Sequence, residues 1–347
     1  MRGTERIRRC VLVGGVLAVF ACGGSPASPS APEAAAPPPV TNPLYDYLVT
    51  GSTSDVVRTT TPGYVLMGGG TDVDEAVRWL IARSGGGDIL VLRAAGTGAY
   101  NPYIAGLGSV NSAATLVLHS REASPDAFVL DKVRRAEAIF IAGGDQSDYV
   151  RSWKDTPLED AIRTAAARGV PVGGTSAGLA VMGQFVYSAL NSSADSATVL
   201  ADPYHRSVTI DREFLDLQGL EGLITDSHFV TRDRMGRLVT FLARLIQDGW
   251  TPEGLGIGVD EQTAVLVDGA GQAAIAGRGA AYFFRATERP RVCQPGIAFQ
   301  FDAVRVYRVA GPATFDLRAW KGTGGADYTV SAAGGTLSSS QAGGSPY

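Results

Sequence analysis

The feature that most constrains this chain is a short apolar run, Val170 to Val172, that meets a glycine-rich corner and turns at once into an apolar helical pattern. The corner reads Gly173-Gly-Thr-Ser-Ala-Gly178, so Ser176 sits in a G-x-S-x-G arrangement. A serine on a sharp strand-to-helix turn projects its hydroxyl above the edge of a sheet. Its neighbours are glycines because the backbone passes close to itself and takes unusual dihedrals there. The N–H of Ala177 then faces the place where an oxyanion develops in acyl transfer. The plainer reading is a helix cap, with Ser176 only satisfying the first turn.

Composition limits the rest. The 347 residues are 45% hydrophobic and 18% charged, with a net charge of −4. That is enough chain for one large domain with a sizeable core, or one and a half. The mild acidity carries no electrostatic footprint for nucleic acid. Cys10 and Cys22 lie near the start and Cys293 stands alone, so no disulfide framework holds the body together. Nothing in the sequence calls for a metal ion or an organic cofactor.

The chain opens with Arg2, Arg6, Arg8 and Arg9, then an apolar run from Val11 to Phe20 too short to remain as a membrane span. Residues 1–21 read as an export signal, and the small residues around Cys22 are similar to those of a bacterial lipoprotein signal. That resemblance implies cleavage before Cys22, a lipid on it, and a membrane-anchored protein in the periplasm or at the cell surface. The plain alternative is secretion. Residues 22–43 are a Pro/Ala/Ser linker, and 44–270 are expected to form the catalytic α/β domain. Residues 271–320 read as a β extension packed on it, and 321–347 as a flexible Gly/Ser tail.

Within the body, apolar strands alternate with amphipathic helices. Strands are expected over 63–67, 88–93, 114–119, 138–142, 170–172, 223–225, 254–260 and 263–267. Helices are expected over 72–82, with Thr71 as N-cap, over 124–135, over a segment capped by Thr156 with Pro157 and Glu159, and over 234–247. Residues 188–212 read as an irregular loop over the site. Continuous apolar strands between helices indicate a mostly parallel sheet covered on both faces, whose sites lie beyond the strands' carboxyl ends. Ser176, Gly143–Gln146 and Gly68–Gly70 all fall there.

A nucleophilic serine needs a base within hydrogen-bond reach and an acid to orient that base. Of the three histidines, His119 ends a strand, His205 lies in the irregular loop, and His228 follows a strand directly in Asp226-Ser-His-Phe229. His228 is therefore the favoured base. Asp260 and Glu261 end the Gly254 strand at the same edge, and strand alternation turns only one of them toward the site.

Four motifs stand in order: Ala142-Gly-Gly-Asp-Gln146, Gly174-Thr-Ser-Ala-Gly178, Asp226-Ser-His-Phe229 continuing through Arg232, Arg234 and Gly236-Arg-Leu238, and Gly256-Ile-Gly-Val-Asp-Glu261 with Thr263-Ala264. Together they resemble the cyanophycinase and dipeptidase E family of serine peptidases, which has a class I glutamine amidotransferase-like fold, over roughly residues 45–318. The cyanophycinase side is the nearer. The resemblance implies Ser176 as nucleophile, His228 as base and Glu261 as its acid partner. It also implies an oxyanion hole from Gly144 and Ala177, and a substrate site drawn from Gln146, Asp226, Ser227, Arg232, Arg234 and Arg237. Ser227 stands where most cyanophycinases carry glutamine.

The expected function is hydrolysis of cyanophycin, the β-aspartyl-arginine polymer, or of a related aspartyl peptide, through an acyl-enzyme. In this reading the arginines take substrate carboxylates and Asp226 takes a substrate arginine. A homodimer is among the assemblies such a chain can form. Two other readings stand beside it: an α/β-hydrolase-type esterase whose acid is Asp202 or Asp211, and a non-catalytic binding lipoprotein that retains the fold.

Overall fold

Why Ser176 stands clear of the sheet follows from the strand order. The computed structural model describes residues 40 to 347; the signal, Cys22 and most of the linker lie outside them. The central strand Val172–Thr175 runs parallel between Gly63–Met67 and Ala138–Ile141, and Asp88–Arg93 and Ser112–Leu118 continue the parallel set. Antiparallel strands flank this set, completing an 11-stranded sheet. Alternate residues serve opposite faces, as strand geometry requires. Val65, Met67, Ile89 and Val91 meet the helix Asp74–Arg83 on one side. On the other side Leu66, Leu90, Leu92 and Ile139 meet the helices Ala127–Arg135, Gln146–Trp153 and Pro157–Ala167. The expected mostly parallel α/β sheet with helices on both faces is thus present.

A second sheet of eight strands holds the other half of the site. In it Phe185–Tyr187, Leu223–Asp226 and Gly254–Val259 are parallel neighbours. The helix Met235–Gln247 covers it, with Leu238, Phe241, Leu242 and Leu245 fully buried.

Several local expectations change. The helix expected from residue 72 begins at Asp74 with Val73 as N-cap, and Thr71 caps nothing. The segment before it is held elsewhere: Gly68 accepts the His228 N–H and Gly69 accepts the Gln262 N–H. Thr156 occupies the N-cap position of Pro157–Ala167, but its hydroxyl donates to the Trp153 carbonyl, and Glu159 accepts the N–H of Asp155, one residue before the N-cap, so the expected capping box does not form. Residues 188–212 are not wholly irregular, because Ser196–Ala201 is helical, capped by Asp195, and Ile210–Arg212 pairs with Phe185–Tyr187. The helix Tyr100–Leu107 carries Pro102 in its first turn, where a missing N–H costs nothing; its Pro and Gly hid it in the sequence.

The largest correction is at the C-terminal end. Residues 321–347 are not a flexible tail, and the β extension is not small. Ala326–Ala333 and Thr336–Ser339 form a hairpin on the second sheet, next to Phe301–Ala310. Tyr328, Val330 and Ala332 alternate inward, and Gly334-Gly335 make a two-residue turn with positive φ. Gly/Ser composition masked a period-two strand. Lys321–Thr323 joins the first sheet instead, and Val40–Asn42, inside the expected linker, is already a strand.

Candidate active site

Ser176 adopts φ 54°, ψ −112°, a conformation a non-glycine residue holds only when its surroundings over-determine it. Those surroundings are tight. Ser176 N–H donates to the Met67 carbonyl at 3.0 Å. A Cβ on Gly178 would come within 2.0 Å of the Ile141 carbonyl oxygen, so no side chain fits at that corner. The serine is thereby turned out at the carboxyl edge of the first sheet.

His228 arrives from the second sheet, immediately after Leu223–Asp226, and also has positive φ, 46°. Its Nε2 lies 2.7 Å from Ser176 Oγ and its Nδ1 lies 2.5 Å from Glu261 Oε1. The imidazole is buried, whereas a quarter of the Glu261 side chain reaches solvent. Burial is the main cause that lowers the His228 pKa below its ordinary value; the Glu261 hydrogen bond opposes the shift, and the Arg232 and Arg234 charges add to it. At neutral pH the ring is a free base.

Gly68-Gly69-Gly70, after the strand Gly63–Met67, is the seat of this pair. Gly68 O accepts the His228 N–H at 2.8 Å, and a Cβ on Gly69 would stand 2.5 Å from His228 Cε1. The sequence marked this glycine run only as lying at the right edge; its positive φ at Gly69 and Gly70 explains the residue type. Asp260, the neighbour of Glu261, faces away and accepts the N–H groups of Val230 and Thr231, holding the turn after His228. The other histidines join neither partner: His119 lies 3.2 Å from Asp46, and His205 meets Ser207. Asp202 is likewise occupied, accepting from the N–H groups of Tyr204 and Gly296, so the acid beside His228 is Glu261.

The Ala142–Gln146 loop approaches from the neighbouring strand. A Cβ on Gly143 would lie 3.4 Å from Ser176 Cβ. The Tyr149 hydroxyl donates to the Ala142 carbonyl, and the Asp145 carboxylate caps the following helix, fixing the loop. Gly144 is exposed, and Gln146 reaches the Tyr187 carbonyl at 3.4 Å.

The expected substrate cluster divides. Asp226 and Arg237 are each only 2% exposed and make a two-pronged ion pair, Nε to Oδ2 at 2.7 Å and Nη2 to Oδ1 at 2.5 Å. Each satisfies the other, so neither is open to a substrate. The Arg237 ring neighbours are Tyr187 and Phe241, and its remaining donor goes to the Ala194 carbonyl. Arg234 turns inward too, onto Asp226 and the carbonyl and hydroxyl of the buried Ser227. Burial pushes its pKa down to about 10, which leaves it charged at neutral pH. Arg232 alone of the three is exposed, and it makes no ion pair among the described residues. Sequence spacing grouped these arginines; only their fold neighbours separate the structural pair from the free cation.

Comparisons with known proteins identify the family. Residues 65–275, well over half of the chain, match the family model "Peptidase family S51". A cyanophycinase of Geminocystis herdmanii is 36% identical over 135 residues, 39% of this chain and 44% of that protein. Another, from Trichormus variabilis, is 29% identical over 187 residues, 52% of this chain and 56% of that protein. The matched stretches span about half the length of these curated relatives. Among solved structures, a peptidase from an acI-B1 Actinobacterium superposes with a TM-score of 0.51 at 17% identity, covering 74% of this chain and 98% of that one; the likeness is one of fold. On the extent of the family match, the chain belongs to peptidase family S51, the serine peptidases that include cyanophycinase and dipeptidase E.

Proposed function

We propose that the protein is a serine-type peptidase that cleaves aspartyl peptides of the cyanophycin kind through an acyl-enzyme. The observation that carries this is the continuous hydrogen-bonded line from Ser176 Oγ through His228 to Glu261. Ser176 Oγ attacks the scissile carbonyl as His228 Nε2 takes its proton, and Glu261 holds the ring with Nδ1 protonated. The N–H groups of Ala177 and Gly144 receive the oxyanion. His228 then gives its proton to the departing amine, and water, activated by the same ring, releases the acyl group and restores Ser176 Oγ–H.

Arg232 is the cation for a substrate carboxylate. Its main-chain N–H donates to the His228 carbonyl, and its charge is close enough to disfavour imidazolium. A charge-assisted contact of this kind contributes about 1.5–3 kcal/mol. Arg232→Ala therefore lowers kcat/KM on β-aspartyl-arginine substrates roughly ten- to a hundredfold, and Arg232→Lys, which loses the planar fork, recovers only part. The reading is tested by incubating purified protein with cyanophycin granules and with α- and β-linked aspartyl dipeptides. Release of β-Asp-Arg supports it; turnover of α-linked peptides alone moves the substrate to the dipeptidase E kind, and cleavage of simple esters but no peptide contradicts it.

The basic start, apolar run and Cys22 support an exported, lipid-anchored form of this enzyme. Intact mass then gives a chain starting at a lipidated Cys22, and Cys22→Ser releases the protein from membranes. An unmodified start elsewhere would overturn the anchor.

A further inference from the structure

The helix Met235–Gln247 starts just after the turn that carries His228, yet Arg234, its N-cap residue, offers no side-chain cap. Distant residues supply the acceptors. Ser196 Oγ accepts the Arg237 N–H at 3.2 Å, and the phenol oxygen of Tyr347, 112 residues away, accepts the Met235 N–H at 2.8 Å. The same phenol donates its proton to Asp233 Oδ1 at 2.8 Å. One hydroxyl thus joins the last residue of the His228 turn to the first residue of the helix. Its ring stands edge-on to Phe229 at 5.9 Å and to Tyr282 at 6.0 Å. Phe229, directly after His228, lies on Gly258, where a Cβ would come within 2.5 Å of the ring. The hairpin of Ala326–Ala333 and Thr336–Ser339 leads to this tyrosine, and the Tyr328 hydroxyl ties Pro346 in place at 2.8 Å. All of these C-terminal residues lie beyond the stretch matched by the family model.

We propose that Tyr347 is a positioning residue for His228: its phenol clamps the turn from behind so that the imidazole stays aimed at Ser176. The inference rests on the reading of His228 as the base. The turn needs such a clamp because His228 and Asp233 both hold positive φ, 46° and 47°, conformations that relax unless held. Gly68 and Asp260 hold its front, and Tyr347 holds its back. Release of the back lets the ring lean away from Ser176 Oγ and lets water reach it.

The test uses the full chain and a fluorophosphonate, which reports Ser176 reactivity without any assumption about substrate. Tyr347→Phe keeps the aromatic contacts and removes only the hydroxyl. The labelling rate at Ser176 is expected to fall about tenfold, about the size of one partly buried hydrogen bond that positions the turn. The midpoint of its pH dependence is expected to move up toward the ordinary histidine value as burial of the ring lessens. The charged groups around His228, namely Glu261, Arg232 and Arg234, are untouched by the change. Tyr347→Ala is expected to do more of the same, and Tm of the Phe variant to stay close to that of the parent. Parental rate and midpoint in Tyr347→Phe would overturn the inference, as would a slower rate that merely tracks a lower Tm with the midpoint unmoved. His228→Ala separates the two levels: if it is unreactive while Tyr347→Phe is normal, only the role of Tyr347 falls. If it labels at the parental rate, both fall.

Discussion

Ser176→Ala and His228→Ala are each expected to lower turnover by roughly 10⁴-fold or more, and the double variant by little beyond either, because nucleophile and base act as one unit. Glu261→Gln keeps the shape but loses the charge that fixes the tautomer, so about a 10⁴-fold loss, no more than that of the other two, is expected. Asp260→Asn, by contrast, loosens only the turn held by the Val230 and Thr231 N–H groups and is expected to cost far less. The pH dependence follows from the ring's surroundings. Burial lowers the His228 pKa, so the active free base is already formed at neutral pH. Activity then rises with pH through a midpoint below the ordinary histidine value of about 6.5 and is flat across the neutral range. A midpoint well above that value would contradict the buried geometry, and a Glu261→Gln variant less impaired than Asp260→Asn would mean that the wrong carboxylate had been assigned.

The second large effect falls on stability. Arg237→Ala takes the two-pronged partner from the buried Asp226 carboxylate and leaves it only the single, longer Arg234 contact at 3.3 Å, and breaking such a pair from one side costs about 3–5 kcal/mol. For a domain of this size that corresponds to a fall in Tm of about 10 °C. Asp226→Leu and Arg237→Met, combined with Arg234→Met so that no buried charge is left unpaired, replace the cluster with apolar volume, so the combined variant recovers much of the loss. Thermal unfolding of the three proteins measures this. If Arg237→Ala keeps its Tm and instead loses only its preference for acidic substrates, then the arginine reaches the substrate after all, against the burial and the two-pronged pairing.

What was legible in the sequence, and what was not, divides along a physical line. The Ser176 corner could be read because its glycines stand within a few residues of the serine, even though Gly178 is required by the distant Ile141 carbonyl. His228 and the pair Asp260-Glu261 could be read because each ends an apolar strand at the same edge, and strand ends locate a site without a structure; the choice of Glu261 over its neighbour comes from the family resemblance. The split among Asp226, Arg232, Arg234 and Arg237 could not, since charge and spacing look the same for a buried pair as for a surface cation. What separates them is Ala194 and Tyr187, distant in sequence, closing around Arg237 beside Phe241 of its own helix. The C-terminal hairpin was hidden for a related reason: it lies in a stretch rich in Gly and Ser, while only the alternate positions Tyr328, Val330 and Ala332 carry the strand signal. Nothing local in Ser345-Pro-Tyr347 announces that its last side chain caps a helix begun at Met235.

The central claim is that Ser176 carries the acyl group between the two halves of the reaction. The most direct measurement is peptide mapping by mass spectrometry after brief incubation with an activated β-aspartyl ester or anilide and quenching in acid. An adduct of the acyl mass on the Ser176 peptide is expected, absent from Ser176→Ala and slowed in His228→Ala. An adduct on another residue, or undiminished hydrolysis by Ser176→Ala with no adduct anywhere, would contradict it.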